Sequence, residues 1–257
     1  MVIMLEIFYY LVVSLIIQIL LFIPAFLFKT DKLTDLSYSI SFVILACFAF
    51  FNATYSVVKL ILLLMIFIWA IRLGSYLFYR INKIGKDTRF DTIRNNFFKF
   101  FMFWFLQGIS VFIIMINSIL VFNSELNYTF NYFCLIGLAI WAIGLSIETI
   151  SDIQKFRFKQ KNREVWINTG LWKYARHPNY FGEMLCWVGI FLFTVFYLNY
   201  TNLIYSLISP LFIIFLLLFV TGIPTIEKKY DVQFKNNKNY LLYKQKTNLL
   251  LPIKLKN

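Results

Sequence analysis

Residues 148–187 read ETISDIQKFRFKQKNREVWINTGLWKYARHPNYFGEMLCW, and this stretch concentrates side chains that bind charge and move protons. Asp152, Lys155, Arg157, Lys159, Lys161, Arg163, Trp172, Lys173, Tyr174, Arg176, the single histidine His177, Asn179, Tyr180 and Glu183 are expected in one loop and the first turns of the helix after it. Pro178 stands where a first-turn proline is favoured, so the helix should open at Asn179 and Tyr180 with backbone N–H groups unpaired. A helix N-terminus beside Arg and Lys is a candidate phosphate site, although the same cations also satisfy a simple topological rule for membrane proteins. Asn179, Glu183 and Trp187 are spaced i, i+4, i+8 and so share one helix face, with Glu183 about one turn inward. An ionisable group at such a depth in an apolar helix is costly; it either takes part in function or pairs with a cation such as Arg72. Glu148 and Asp152 form another i, i+4 pair, in which a carboxylate can meet a ribose hydroxyl or a cation, and Glu148 reads as the more structural of the two. His177 has no second His or nearby Cys, so it suggests a proton relay, a phosphate contact or simply a hydrogen bond within the turn before Pro178, rather than a metal site. No metal site is expected.

The elements that must position these groups are membrane helices. The 257 residues are 60% hydrophobic and 21% aromatic, with a mean hydropathy of +0.72, more apolar surface than a water-soluble domain can cover. A spanning helix needs about 20 predominantly apolar residues. Seven stretches approach this: Ile3 to Phe28, Leu36 to Phe51, Val57 to Tyr79, Phe97 to Phe122, Phe130 to Ile150, Tyr180 to Leu198, and Leu203 to Ile223. The second is short and Pro210 interrupts the last. The first run is too long for a cleavable signal and no basic residue precedes it, so it should persist as a helix.

The net charge of +13 is distributed as topology charge, not as a nucleic-acid surface. Two basic residues follow the first span, six lie in 80–99, seven in 155–176 and eight in 228–256, leaving only Lys59 near the opposite face and Arg72 within the third span. The alternate connections, around Asn52, Asn123 to Asn131 and Asn199 to Asn202, carry no Lys or Arg. The expectation is therefore an all-α, seven-helix bundle with its N-terminus outside and its C-terminus inside, so that labels at Asn127 and Lys161 should fall on opposite sides. Cys47, Cys134 and Cys186 lie in apolar runs without CxxC spacing, which argues against a disulfide framework and a zinc site. The chain reads as one membrane-embedded domain over 1–257, without nucleic-acid partners and with membrane lipids around it.

GLWKYARHPNYFGEMLCWVGIFL resembles the signature of the steroid 5-alpha reductase C-terminal family, in its branch of uncharacterised membrane proteins. The resemblance extends in order to DKLTDLSYSISFVILA, WAIRLGSYLFYRINKIGKDTRF, ETISDIQKFRFK and SPLFIIFLLLFVTGIPTIEKKY with a Tyr-rich tail, and so covers nearly the whole chain. It implies a seven-helix, NADPH-dependent reductase of a carbon–carbon double bond in a steroid, sterol or other lipid drawn from the bilayer. The cofactor pocket would open to the cytoplasmic side, with helices in 130–257 on the cofactor side and those in 1–122 on the substrate side. By the same resemblance Arg72, Asp152, Lys159, Trp172, Arg176, His177 and Asn179 are cofactor-binding positions and Glu183 and Tyr180 catalytic ones. The membrane would be a bacterial inner membrane or the endoplasmic reticulum.

This chain departs from the steroid reductases in having no acidic residue in Leu36 to Phe51 and Trp69 near the place of a substrate-polarising Tyr, which favours an unsaturated lipid or isoprenoid at least as much as a steroid. Isoprenylcysteine carboxyl methyltransferases also carry an R-H-P-x-Y loop, there for S-adenosylmethionine. They usually have fewer spans and paired glutamates near the last helix end, where Glu227 is here followed by Lys228 and Lys229. A non-enzymatic lipid-binding protein is the third alternative and predicts no nucleotide affinity.

Overall fold

The computed structural model describes residues 2–125, 129–162 and 164–254. Asn127, Arg163 and Lys256, used above in the topology and loop readings, lie outside the described residues. Among the described residues ten α-helices form: α1 (Val2–Leu27), α2 (Thr34–Phe51), α3 (Val57–Ile84), α4 (Phe97–Phe122), α5 (Tyr132–Lys161), α6 (Pro178–Thr194), α7 (Tyr200–Ser206), α8 (Ile208–Phe215), α9 (Ile223–Gln233) and α10 (Lys238–Lys246). Among the described residues there is no β-strand, only an isolated bridge between Ala175 and Asn248. Among the described residues seven segments are long and apolar enough to cross a bilayer, as in a multi-pass membrane protein: Ile7–Leu27, Thr34–Phe51, Val57–Ile84, Phe97–Phe122, Tyr132–Lys161, Pro178–Tyr197 and Tyr200–Gln233.

The fifth and seventh segments differ most from the sequence reading. The fifth helix does not end near Ile150 but continues to Lys161, so Asp152, Lys155, Arg157, Lys159 and Lys161 are helical rather than in a loop. Their straight-chain residues favour continuing the helix once it has left the apolar region. The seventh segment is built from α7, α8, a π-helical turn over Leu216–Val220 and α9. Pro224 sits in the first turn of α9, where a missing N–H costs nothing, so the chain continues to Gln233 beyond the expected end at Ile223.

The chain forms two compact units, Met1–Tyr132 with Phe193–Ser209 and Phe133–Leu192 with Pro210–Asn257. In the first, α1 packs on α2 and α4, and α2 on α3. A polar seam runs through this apolar packing. Gln18 Nε2 donates to Ser41 Oγ at 2.9 Å, while Gln107 Nε2 donates to Ser37 Oγ at 2.9 Å and to the Thr34 carbonyl at 3.0 Å. Each partner spares the other an unsatisfied group in a lipid-embedded interior. Nearby, the buried Asp31 carboxylate accepts from Arg94 at 2.7 Å and from the Asp87 backbone N–H at 2.6 Å, bracing the connection before α4.

Lys59, one of the two basic residues outside the basic segments, is wholly buried. Ser56 caps α3 by accepting the Lys59 backbone N–H, and the Lys59 ammonium donates to the carbonyls of Phe122 at 2.9 Å and Ser124 at 2.8 Å and to Thr54 Oγ1 at 3.0 Å. It thereby satisfies carbonyls at the end of α4, where no helical donors remain. Lys59→Met keeps an unbranched side chain of similar length but leaves the buried Phe122 carbonyl without this donor. The variant is expected to lose about 3 kcal/mol of stability, read as a lowered melting temperature in detergent; a wild-type melting curve would refute the role.

Candidate functional site

In the second unit α5 and α6 approach at backbone distance. A Cβ built at Gly182 would lie 2.6 Å from the Glu148 backbone N and the Gly144 carbonyl oxygen, and one at Gly189 would lie 2.6 Å from the Trp141 backbone N. Only glycine allows this contact, as is common where membrane helices pack closely. The approach brings polar groups of the two helices together: Asn179 Nδ2 donates to the buried Asp152 Oδ1 at 3.3 Å. Two residues predicted separately from the motif are thus partners.

The loop between the helices is shaped by Gly170, whose φ of +60° suits glycine and where any Cβ would strike the Gln154 side chain at 2.4 Å. Gln154 Oε1 accepts the Leu171 N–H at 3.0 Å, fixing the short turn that presents Trp172. Trp172 is buried, donates through Nε1 to the Ser151 carbonyl at 3.0 Å, and has the Lys155 ammonium 4.8 Å from its ring centre. Lys159 donates to the Val165 carbonyl at 2.7 Å and lies 5.5 Å over the Tyr230 ring.

As the sequence suggests, α6 begins at Pro178. The preceding residues are held by the C-terminal tail, because the backbone N–H groups of Arg176 and His177 donate to the carbonyls of Asn248 at 2.9 Å and Leu249 at 3.0 Å. Their side chains converge on Glu227 of α9. Arg176 donates to Glu227 Oε2 at 2.7 Å, His177 Nε2 lies 2.8 Å from Oε1, and Lys244 of α10 lies 3.2 Å from Oε2. Lys244 also donates to Asp231 at 2.5 Å. Burial depresses the His177 pKa below its ordinary 6.5, and the hydrogen bond it donates to Glu227 only partly opposes this. The imidazole is therefore neutral near pH 7, with its proton on Nε2 facing the carboxylate and Nδ1 left as an acceptor. Burial lowers the Lys244 pKa, but its bonds to Asp231 and Glu227 outweigh that and leave it raised. Burial also raises the pKa of Tyr240 and Tyr243, so both stay protonated. Tyr243 donates to the Trp172 carbonyl at 2.7 Å.

Lys155, Trp166, Trp172, Arg176, His177, Glu227, Tyr230, Tyr240 and Tyr243 line a narrow cavity of about 10 Å³, roughly the space of one water molecule. Several buried polar atoms around it have no hydrogen-bond partner among the described residues: His177 Nδ1, Arg176 Nε, Trp166 Nε1 and, on the adjoining turn, Asn179 Oδ1. Buried polar groups are rarely left so, and here donors and acceptors occur together. The chemistry suits a polar ligand carrying both kinds of group. The present width does not admit a nucleotide.

Of the predicted residues, Asp152, Lys159, Trp172, Arg176, His177, Asn179, Tyr180 and Glu183 all belong to this unit. Tyr180 stacks on His177 with ring centres 5.8 Å apart and planes 11° apart. Glu183 is half-buried on the second turn of α6. Arg72, on α3, belongs to the first unit. Sequence reasoning missed Tyr230, Tyr240, Tyr243, Lys244 and Trp166, and weighed Glu227 only against the methyltransferase pattern. A signal was present: Glu227, Tyr230 and Asp231 share the i, i+3, i+4 spacing of Tyr240, Tyr243 and Lys244, one polar–aromatic face on each of two short helices. Among the described residues no group of three or more His, Cys, Asp or Glu is placed to hold a metal.

Fold and site together define a multi-pass α-helical membrane protein with a charged, aromatic-walled centre at the start of its sixth long helix. Residues 21–247 match the family described as proteins of unknown function, DUF1295, and the chain belongs to it. No curated protein and no solved structure matches the chain.

Proposed function

We propose that the chain is a membrane-embedded, NADPH-dependent reductase of a carbon–carbon double bond in a lipid-like substrate, a sterol, steroid or isoprenoid. The observation carrying the reading is the assembly at the N-terminus of α6 of Asp152 with Asn179 and of Arg176 and His177 with Glu227, leaving the buried acceptors His177 Nδ1 and Asn179 Oδ1 for a ligand. The resemblance to the steroid 5-alpha reductase C-terminal family supplies the reaction class. When bound, NADPH supplies the hydride. Glu227 orients the guanidinium and the imidazole; His177 Nδ1 and Asn179 Oδ1 accept from amide or hydroxyl donors; Lys155, Lys159 and Arg176 offer positive charge to phosphates. Glu183, on the face of Asn179 and a turn farther into the helix, delivers a proton. The basic loops and the site face the cytoplasm, with the N-terminus outside.

One observation favours a second reading. Glu227, set against Tyr230, Tyr240, Tyr243 and Trp166 around the cavity, is a carboxylate among aromatic faces, a combination that attracts a cationic ligand such as S-adenosylmethionine. Titrating the purified protein with NADPH, NADH and S-adenosylmethionine separates the readings. NADPH is expected to bind more tightly than NADH, with an affinity that falls as salt rises. Equal affinities would remove the 2′-phosphate contact, binding of S-adenosylmethionine alone would favour a methyltransferase, and no binding of any of the three would favour the non-enzymatic alternative.

A further inference from the structure

Beyond the last span the chain changes character. Residues 234–257 contain six lysines and no Asp or Glu. Tyr240, Tyr243, Lys244 and Thr247 turn toward the site, Tyr240 and Thr247 being buried and the other two half-buried. The opposite face of α10 carries Leu241 and Leu242, 49% and 50% exposed, with exposed Lys238 and Lys246 about one turn to either side. The tail continues this exposed apolar surface through Leu249, Leu251 and Ile253, followed by Lys254. Paired leucines bracketed by lysines on one face of a short helix are suited to an interface in which apolar side chains enter the acyl boundary and lysines reach the headgroups.

We infer that α10 and the tail through Ile253 form a docking surface for the anionic phospholipids of the bilayer that holds the spans. Charge complementarity selects this occupant: the segment is uniformly cationic, and lysines near an anionic membrane surface add to the anchoring supplied by buried apolar area. The connection is also short, since Gln233 ends the seventh span and α10 begins at Lys238. Docking has a structural consequence, because the carbonyls of Asn248 and Leu249, between the two halves of this surface, hold the backbone of Arg176 and His177. A tail settled on lipid keeps that clasp closed, and a tail lifted from it frees the clasp. The inference does not depend on which cofactor the site takes.

The test uses the full chain in nanodiscs of phosphatidylcholine alone or mixed with phosphatidylglycerol. An environment-sensitive nitrobenzoxadiazole label is placed at Ile253→Cys and, in a second protein, at Leu251→Cys. The parent chain, whose Cys47 is half-buried and whose Cys134 and Cys186 are buried, gives the background labelling. The expected result is a blue shift and quenching by spin-labelled lipid that increase with phosphatidylglycerol and decline at high salt. Replacing Lys238, Lys246 and Lys254 by Gln should abolish the phosphatidylglycerol dependence, and Leu241→Ser with Leu242→Ser should abolish the quenching. Water-like emission from both labels in both lipids would overturn the proposal. Equal quenching in the two lipids would overturn its anionic selectivity, and shielding without lipid quenching would assign the surface to a second copy of the chain or another protein.

Discussion

Glu227→Ala is expected to destabilise the second unit and to abolish the proposed nucleotide binding. The carboxylate serves Arg176, His177 and Lys244 together, at 2.7, 2.8 and 3.2 Å, and its removal leaves a largely buried guanidinium without that counter-charge. Breaking such a pair costs about 3–5 kcal/mol when fully buried; the side chain is 17% exposed, which places the expectation at about 3 kcal/mol. Glu227→Gln retains one acceptor and should lose less. Acid sensitivity changes as well. Because the His177 pKa is depressed in the folded protein, its contribution is complete above the ordinary value of 6.5 and is lost as pH falls through the folded value. Removing Glu227 deletes the hydrogen bond that holds this pKa up, so the loss becomes larger and extends to lower pH. Melting temperatures measured between pH 8 and pH 5 should therefore diverge between wild type and variant on acidification. A Glu227→Ala protein with wild-type melting at every pH and unchanged ligand affinity would remove Glu227 from the site.

Glu183→Gln should act differently, since it preserves shape and hydrogen bonding but removes the titrating proton. Turnover by the proposed reductase should fall by on the order of a hundredfold or more, a usual size for losing general acid catalysis, while the protein remains folded. If Glu183 is instead the structural partner of a buried cation, the substitution strands that charge and lowers the melting temperature. Reduced melting with near-normal turnover per folded molecule would refute the catalytic role and move proton delivery to Tyr180 or His177.

What the sequence disclosed follows the range of the forces involved. The spans were legible because a bilayer imposes length and apolarity on each segment separately. The start of α6 was legible because a proline at its first position is a local rule. Asp152 and Asn179 were each legible as polar groups near helix ends, but their pairing depends on the α5–α6 approach that glycine permits. Glu227 reads as an unpaired departure from the methyltransferase pattern because Lys228 and Lys229 follow it, yet those lysines are exposed while Glu227 faces residues fifty positions earlier in the chain. Lys59 looked like an ordinary charge near a membrane face; its burial arises from carbonyls more than sixty residues later, which no local pattern announces.

The glycine contact between α5 and α6 also constrains how this chain can vary in length. Helical residues advance by about 100° each, and Gly182 and Gly189 each meet a specific backbone atom of α5. A residue inserted between Asn179 and Gly182 would rotate Asn179 about 100° away from Asp152 if the glycine contacts held, or drive side chains into the α5 backbone if the motif held. The segment is thus indifferent to many outward-facing substitutions but intolerant of insertion or deletion, and length change in this unit should be confined to the connections between helices.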